Sequence, residues 1–555
     1  MNTDLELHPD QPLRCLLVQP EFSATNFWYM KDALENIGAK TNSPPLGLLT
    51  VAALVPQNWQ FRLLDLNVRN FTEDDWEWAQ IICVGGMLPQ QEGILACIDA
   101  AKSRGKYVVV GGADPTSQPD IYQSADARVL GEGEVTIPLW LESWRQGQAK
   151  GMFYSDKKPD VTQSPIPRYD LINFPDYLQV TVQYSRGCPF NCEFCDIIEL
   201  YGRVPRTKSA LQVTKELEVL YDLGYRGWID IVDDNFIGNK RNVKQMLPVL
   251  EEWCKSRKYP FFFSTEASMN LADDKKLMQL MQAVDFRFVF MGIETPDPEL
   301  LLHTQKSQNT MKPIVERVHQ LYKYGISASA GFILGFDGEK KGVDRAMIRC
   351  IEDTGIAVAM VGLLVALPNT QLTRRLLKEG RLLDVRGSKV DPSTKDYRVS
   401  FKSGRENSPQ GRDQTTAGLN FITSRDRKDI LDEFSQVVQY IYHPKIYMNR
   451  VLRTVRALKM KQLHKAKGWE LRRNLKGLYH LCRKHTKNPD TRWYFWRNFV
   501  LMMFMGPARF EMGMLLMGSY LHLEKSVRHM SGEAESAKAG MGTKEALREV
   551  YLLGV

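Results

Sequence analysis

The chain has 555 residues, with 73 Lys and Arg against 65 Asp and Glu, a formal net charge of +8. Hydrophobic residues make up 43% and charged residues 25%, which excludes a wholly disordered chain, a collagen-like chain and a disulfide-dense mini-protein. The length predicts several domains with large cores. The charge is uneven: between Tyr440 and Met530 there are 19 Lys and Arg and only 4 Asp and Glu, so the rest of the chain is net acidic. Nine cysteines in so long a chain are too sparse and odd in number for a disulfide framework. Met1–Pro12 has acidic residues and no apolar run of the secretory kind, so the expected compartment is a reducing cytoplasm.

Residues 1–150 read as a doubly wound, Rossmann-like α/β domain. The apolar runs Leu13–Val18, Phe61–Leu66, Ile81–Gly85, Tyr107–Gly111 and Ala127–Leu130 predict buried parallel strands, separated by segments of helical period such as Gln91–Arg104. Gly85–Gly86, Gly111–Gly112 and Gly131–Glu132–Gly133 follow three of these runs, where loops of open α/β sheets form a ligand crevice. Tight turns alone would also use these glycines, and no G-x-G-x-x-G fingerprint favours a dinucleotide. Residues 151–180, with Pro159, Pro165, Pro167 and Pro175, read as a linker.

Residues 181–385 alternate strand and helix again. The expected strands are Gln179–Tyr184, Gly227–Val232, Phe261–Thr265, Phe288–Gly292, Ser327–Leu334 and Val361–Leu367, a (β/α)6 partial TIM barrel with its site at the strands' C-terminal ends. Residues 386–425 read as a long irregular excursion within a basic, mostly helical C-terminal domain, 386–530. Residues 531–555 read as a small-residue-rich tail, partly disordered.

The strongest local signal is Arg186-Gly187-Cys188-Pro189-Phe190-Asn191-Cys192-Glu193-Phe194-Cys195, a C-x3-C-x2-C spacing directly after the first barrel strand. Thiolates suit zinc or an Fe–S cluster. Structural zinc wants a fourth protein ligand, and no His or Cys nearby supplies one. Three thiolates on a 4Fe–4S cluster would leave one iron open to an outside ligand. The bland alternative is three unrelated buried cysteines.

This motif, with an aromatic before its last cysteine, resembles that of the radical SAM superfamily. Asp233-Asp234-Asn235 after the second strand, Met291-Gly292-Ile293-Glu294-Thr295 and Gly331-Phe332-Ile333-Leu334-Gly335-Phe336 resemble the family's later barrel motifs in order. The resemblance implies that Cys188, Cys192 and Cys195 hold the cluster and that its open iron binds S-adenosylmethionine. It implies that Phe194 contacts adenine and that Ile333 and Gly335 line the adenine site. Glu266 and Glu294 are expected as polar contacts to the cofactor, with backbone satisfaction at a strand end as the alternative. Asp233, Asp234 and Asn235 are expected at cofactor or substrate, with capping as the alternative for Asp234 and Asn235.

Pro44–Leu48, Gly111–Thr116 and Gly131–Glu134 resemble loops of the cobalamin-binding domain that precedes many such barrels, making Gly86, Leu88, Gly111, Gly112, Gly131 and Gly133 candidate cobalamin contacts. The Asp-x-His-x-x-Gly signature is absent, and there is no His between Leu13 and Lys150. The lower face of cobalt would then carry water, a side chain near Leu88–Gln91, or nothing; a degenerate, empty domain is the alternative. Ile197–Arg206, Thr416–Phe421 and Tyr447–Arg453 resemble the subset with the extra C-terminal domain seen in the hopanoid C-2 methylase.

The resemblance implies a class B, cobalamin-dependent radical SAM methyltransferase acting on an unactivated carbon, with a polycyclic lipid such as a hopanoid as the leading substrate. A non-methylating rearrangement or cyclisation, and a non-catalytic cobalamin or redox sensor, are the alternatives. An electron-donor protein such as a flavodoxin or ferredoxin is implied as partner. For the basic C-terminal region three readings stand: helices packed on the barrel with a solvated basic face, peripheral contact with an anionic membrane, or nucleic-acid binding, which no RNA-binding module supports. Arg509 and Glu511 interrupt its apolar stretches, so no spanning helix is expected.

Overall fold

The computed structural model describes residues 7–22, 26, 29–383, 389–390 and 418–552. Two six-stranded parallel sheets organise the chain. The first contains β1 Arg14–Gln19, β2 Gln60–Asp65, β3 Ile81–Gly85, β4 Tyr107–Gly111, β5 Ala127–Val129 and β6 Gly151–Phe153, in the order β2-β1-β3-β4-β5-β6. Alternate residues of these strands feed two cores. Leu17, Cys83 and Val109 pack with Trp140 and Trp144 on one face. Val18, Ile82, Val84 and Val110 pack with Trp76, Ile94 and Ile98 on the other. Both faces are covered, which is why the runs read as unbroken apolar stretches. Strand order reverses between β1 and β3, so the crevice beyond their C-terminal ends is the expected ligand position. Strand β6 lies in the stretch read from sequence as linker. It pairs with β5 from Ala127↔Gly151 to Val129↔Phe153 and extends the sheet by one edge.

The second sheet contains β7 Val180–Val182, β8 Gly227–Ile231, β9 Phe261–Glu266, β10 Phe286–Glu294, β11 Ser327–Leu334 and β12 Ala359–Leu363. Its strands lie in sequential order with β7 and β12 at the edges, the expected six-unit partial barrel. Strand β12 starts two residues earlier and stops four residues earlier than the apolar run suggests. Beyond Leu363 the chain stays buried. Leu364 donates its N–H to Leu334 O and accepts from Leu419 N–H, so hydrophobicity does not mark the strand's end.

The helices that carry the rest of the argument are α1 Lys31–Ile37, beside the first sheet, and five near the C-terminus: α2 Arg427–Ile441, α3 Pro444–Ala457, α4 Gly468–Lys487, α5 Pro489–Met503 and α6 Pro507–Leu552. Their buried residues, such as Val437, Tyr447, Val451, Phe495 and Met517, belong to the same core as the barrel strands. The C-terminal helices therefore complete the barrel's core and are not merely appended to it. Helices α4 and α6 also pack on α1, where Lys525 pairs with Asp32 and buried His522 bonds Asn26 O. Most of the excursion expected over 386–425, including Thr416 and Ala417, lies outside the described residues. Over the segment expected as a disordered tail, the backbone of α6 continues as helix to Leu552.

Candidate functional site

Beyond β7, Ser185–Arg186 pairs antiparallel with Arg206–Thr207 and launches the cysteine loop. Gly187 takes φ 91°, and a Cβ there would stand 2.9 Å from Gly202 O and 3.0 Å from Val204 O. Only glycine fits this close crossing. Cys188 N–H then bonds Gly202 O, and Cys195 N–H turns back to Cys192 O. The loop is pinned from outside. Glu193 accepts from Arg375 at 3.0 and 3.2 Å, and its carbonyl accepts from Leu372 N–H at 2.8 Å. Phe194 packs on Phe336 with ring centroids 5.6 Å apart.

All nine cysteines are free thiols. Burial pushes the thiols of Cys188, Cys192 and, most strongly, Cys195 upward. Two amides oppose this: Asn235 Nδ2 donates to Cys188 Sγ at 3.7 Å and Gln308 Nε2 to Cys192 Sγ at 3.8 Å. Among the described residues no three His, Cys, Asp or Glu converge on a single-ion site. A 4Fe–4S cluster binds each thiolate to a different iron and spreads its cysteines wider, so three sulfurs with amide N–H donors and no fourth ligand fit such a cluster. Three buried oxygens beside the loop, Asp234 Oδ2, Gln308 Oε1 and Asn309 Oδ1, lack any hydrogen-bond partner. Orphaned buried oxygens of this kind mark the place of a polar ligand.

The three residues after β8 divide their roles. Asp233 accepts from Tyr184 N–H, Ser185 N–H and Ser185 Oγ at 2.7–2.8 Å, so it caps the end of β7. Burial still raises its carboxyl to about 6. Asp234 is pushed up to about 7 by burial and by Asp233 and Asp196. Asn235 serves the cysteine loop and, through Oδ1, Ser268.

Glu294, at the end of β10, has φ 67°, an unusual conformation for a side-chain-bearing residue. Its carboxylate pairs with Lys306. Gly292 leaves the space for this pair, since a Cβ there would overlap both groups. Burial alone would lower Lys306, but Glu294 and Cys192 hold it protonated, 5.6 Å from the Phe194 ring centre. Glu294 is therefore committed to Lys306, a residue that sequence reasoning passed over because its partner lies 12 positions away.

Glu266 ends β9, with its side chain exposed at the C-terminal edge of the barrel. Desolvation, then Asp230, Asp234 and Asp233, push its carboxyl up to about 8. Ile333 on β11 is half-buried. Gly335 has φ 100°, donates its N–H to buried Glu339 at 3.1 Å, and is crowded by Leu419. On β8 and the middle of β10 every second residue (Trp228, Asp230, Phe288, Phe290 and Gly292) is only half-buried, and these form a lumen wall. Trp228 stacks on Phe288 at 5.0 Å and donates to Ser264 Oγ at 2.6 Å, and Ser264 donates to Asp230. The sequence reading missed this wall; the alternation along β8 and β10 is its signal.

At the mouth of the first sheet, Gly112 takes φ 105°, and a Cβ there would meet Gly86 O at 2.9 Å. A Cβ on Gly86 would meet Gln90 Oε1 at 2.9 Å, and one on Gly111 would meet Val129 O at 2.8 Å. Gly133 faces Ile137 and Leu54, and Gly131, at φ 86°, donates its N–H to Thr116 Oγ1. Leu88 opens the short helical turn Leu88–Gln90. Close packing thus requires several of these glycines, whatever else they touch. The loop after β5 also joins the two sheets. Arg186 donates to Glu132 at 2.9 Å and to Glu134 at 2.7 and 2.9 Å, and Arg206 donates to Glu132 at 2.8 and 2.9 Å. Burial alone would raise Glu134, but Arg186 and Ser164 hold its carboxyl down to about 2.

Residues 182–347 match the radical SAM superfamily, and residues 370–536 match a domain of unknown function, DUF4070. An uncharacterized methyltransferase of Synechocystis sp. (strain ATCC 27184 / PCC 6803 / Kazusa) is 42% identical over 94% of each chain. The hopanoid C-2 methylase of Rhodopseudomonas palustris (strain TIE-1) is 37% identical over 68% of this chain and 73% of its own. The chain belongs to the radical SAM methyltransferase family of these relatives. Its fold is that of the cobalamin-dependent S-adenosylmethionine radical enzyme OxsB, solved with aqua-cobalamin and S-adenosylmethionine bound, at TM-score 0.56, 16% identity, and coverage of 95% of this chain and 81% of that one.

The superfamily match opens at Val182 on β7 and closes inside the helix Val343–Thr354, so it takes in the cysteine loop, Glu294 and Gly335 but not β12. Of the cobalamin contacts expected from sequence, Gly86 and Gly112 meet at the first sheet's mouth. Gly86, Gly112 and Gly131 present bare backbone there, and Met87 is half exposed beside them. No His stands between Leu13 and Lys150, so the first sheet and its loops offer cobalt no imidazole.

Proposed function

We propose that this protein is a cobalamin-dependent radical SAM methyltransferase that methylates an unactivated carbon, with a polycyclic lipid such as a hopanoid as substrate class. The observation that carries the proposal is the cysteine loop with its three partnerless oxygens, latched by Arg186 to the glycine mouth of the first sheet. Bound together, the cluster, S-adenosylmethionine and cobalamin supply a 5′-deoxyadenosyl radical and a transferable methyl group.

The chain's own residues would hold and orient these parts. Cys188, Cys192 and Cys195 are the proposed cluster ligands. Asp234, Gln308 and Asn309 have oxygens free to accept from the methionyl amine, and Lys306 brings positive charge to the same corner. Phe194, Ile333 and Gly335 would bound the adenine. Trp228, Phe288 and Phe290 offer an apolar lumen wall to a hydrocarbon. Desolvation and the neighbouring carboxylates raise Glu266, which favours its uncharged form beside such a substrate. Gly86, Leu88, Gly111, Gly112, Gly131 and Gly133 are the proposed corrin rim, and the Glu132–Arg186–Glu134 joint sets its distance from the cluster. An electron-donor protein of the flavodoxin or ferredoxin kind would reduce the cluster. The location proposed is the cytoplasm, with peripheral membrane contact through the basic C-terminal helices. Among the described residues no helix is long and apolar enough to cross a membrane.

The test is anaerobic reconstitution with iron, sulfide and cobalamin, followed by incubation of a lipid extract with S-adenosylmethionine carrying a labelled methyl. A labelled product heavier by one methylene, with S-adenosylhomocysteine, supports the reading. Formation of 5′-deoxyadenosine without S-adenosylhomocysteine would replace it with a rearrangement or cyclisation. Biological activity that survives replacement of all three cysteines by alanine would replace it with a sensor.

A further inference from the structure

Helices α4 and α5 each bury one face in the protein and leave apolar residues on another. On α4, Leu471, Leu475 and Tyr479 recur every four residues and form one exposed stripe. On α5, Trp493, Val500 and Phe504 lie on the side opposite the buried Thr491, Phe495, Asn498 and Met502. Phe504 is 86% exposed, Trp493 71% and Tyr479 63%. Trp496 Nε1 donates to Thr486 Oγ1 of α4 at 3.1 Å, and both residues are exposed, so the open faces of the two helices meet at this bond. An exposed apolar patch of this extent marks an interaction site.

Its border is basic. Arg483, Lys484 and Lys487 are exposed along the last turns of α4, and among the described residues none of them pairs with a carboxylate. Three other cations of the same region are structural. Arg450 is fully buried on Glu352, Ile441 O and Ala357 O, Arg497 bonds Asn449, and Arg509 bonds Leu458 O. Arg483, Lys484 and Lys487 stand beside the exposed aromatics of α4 and α5.

We propose that the α4–α5 surface docks on an anionic lipid bilayer, with Trp493, Val500 and Phe504 entering the headgroup region and Arg483, Lys484 and Lys487 reaching the lipid phosphates. Trp and Tyr, with an apolar body and a polar tip, favour this depth, and Lys and Arg extend past apolar surface to the headgroups. A second copy of the chain fits less well. A two-fold interface sets a patch against itself and would bring the same basic border of both copies together. The lumen faces away from these helices: α4 meets the barrel at the start of β8, where Trp469 packs on Tyr225. Docking would therefore hold the body at the membrane without covering the barrel mouth. The inference extends the peripheral contact within the proposed function, but its test requires no methyl transfer, so the two can fail separately.

The full chain, loaded with iron and sulfide, is sedimented with vesicles of phosphatidylcholine alone or of equal parts phosphatidylcholine and phosphatidylglycerol. Binding is expected only with the anionic vesicles. The triple variant Trp493→Ala, Val500→Ala, Phe504→Ala is expected to lose about tenfold or more in partitioning, since it removes the inserted apolar area. The variant Arg483→Gln, Lys484→Gln, Lys487→Gln is expected to lose about fivefold per cation and the preference for anionic lipid. Both variants should keep wild-type circular dichroism and wild-type cleavage of S-adenosylmethionine in solution. Vesicle binding unaffected by either variant would overturn the proposal. So would light scattering that shows a dimer converted to monomer by the apolar variant, with no vesicle binding by the wild type; the surface would then be an interface between copies.

Discussion

The Arg186–Glu134 pair offers a quantitative test of how the two sheets are joined. Glu134 is almost fully buried, with 7% of its side chain exposed, and Arg186 has 12%. The carboxyl is held near 2 against an ordinary value of 4.5, the net result of burial opposed by Arg186 and Ser164. A shift of that size corresponds to about 3 kcal/mol favouring the charged, folded form. Because the folded value is depressed, this stability is fully present above about pH 4.5 and is lost as pH falls toward 2. The perturbation is Glu134→Gln, which keeps the size and one acceptor but removes the charge.

The expected cost at pH 7 is about 3 kcal/mol, confined to the joint. In a chain of several cooperative units a global midpoint would blur this, so the assay is native-state hydrogen exchange over β5 and the helix Gly133–Arg145. Arg186→Met should cost more, about 3–5 kcal/mol, because it strands the buried Glu134 carboxylate and leaves only Arg206 on Glu132. The double variant should cost less than the sum by about 2 kcal/mol. The stability lost by the wild type between pH 4.5 and 2 should shrink in Glu134→Gln. In the reconstituted enzyme, 5′-deoxyadenosine should still form while the yield of methylated product per cleavage falls, because the cysteine loop survives and its distance to the corrin rim does not. If exchange over this segment changes by less than about 0.5 kcal/mol, within the range of an ordinary surface substitution, the pair is not a latch and the reasoning fails.

Other substitutions probe the remaining geometry. Gln308→Leu removes an N–H donor from Cys192 Sγ, so the cluster's reduction potential, followed by spectroscopic redox titration, should fall relative to wild type. Glu266 has a raised carboxyl, so it destabilises the folded state progressively as pH rises from about 4.5 through 8; Glu266→Gln should flatten the decline in thermal stability across that window. A wild-type slope retained by the variant would place the raised group elsewhere. Gly112→Ala forces a side chain into φ 105° and against Gly86 O, and should cost about 1–3 kcal/mol in chemical unfolding of the first sheet. An alanine variant as stable as wild type would show that the two loops can separate freely.

What the order of residues makes legible is local. The strands Ile81–Gly85, Tyr107–Gly111 and Ser327–Leu334 stand where their apolar runs place them, because each is buried within its sheet. The cysteine loop is legible because its ligand set lies within eight residues and needs no partner from elsewhere. Strand β6 is not: three residues, two of them exposed, in a segment dominated by proline, carry no alternation to detect. Asp233 and Asn235 can be located at the right edge, but their roles depend on which backbone or sulfur lies opposite, and composition does not record that. Lys306 and the Arg186 latch are invisible in the sequence for the same reason, since the latch spans 52 positions and joins two different sheets.

The basic excess shows the same boundary from the other side. A count of Lys and Arg treats Arg450, buried on three partners, as equal to Arg483, which has no carboxylate partner among the described residues. Only the first belongs to the fold, and removing it would leave Glu352 with Arg453 alone and two carbonyls unpaired in the core. Helical phase separates the two kinds of cation better than number does. The stripe Leu471, Leu475, Tyr479 beside a run of cations is a pattern that a packed core helix has no reason to show on its open side. A total of +8 therefore says little about partners. The arrangement of Arg483, Lys484 and Lys487 around exposed aromatics says more, because it specifies both a sign and a depth.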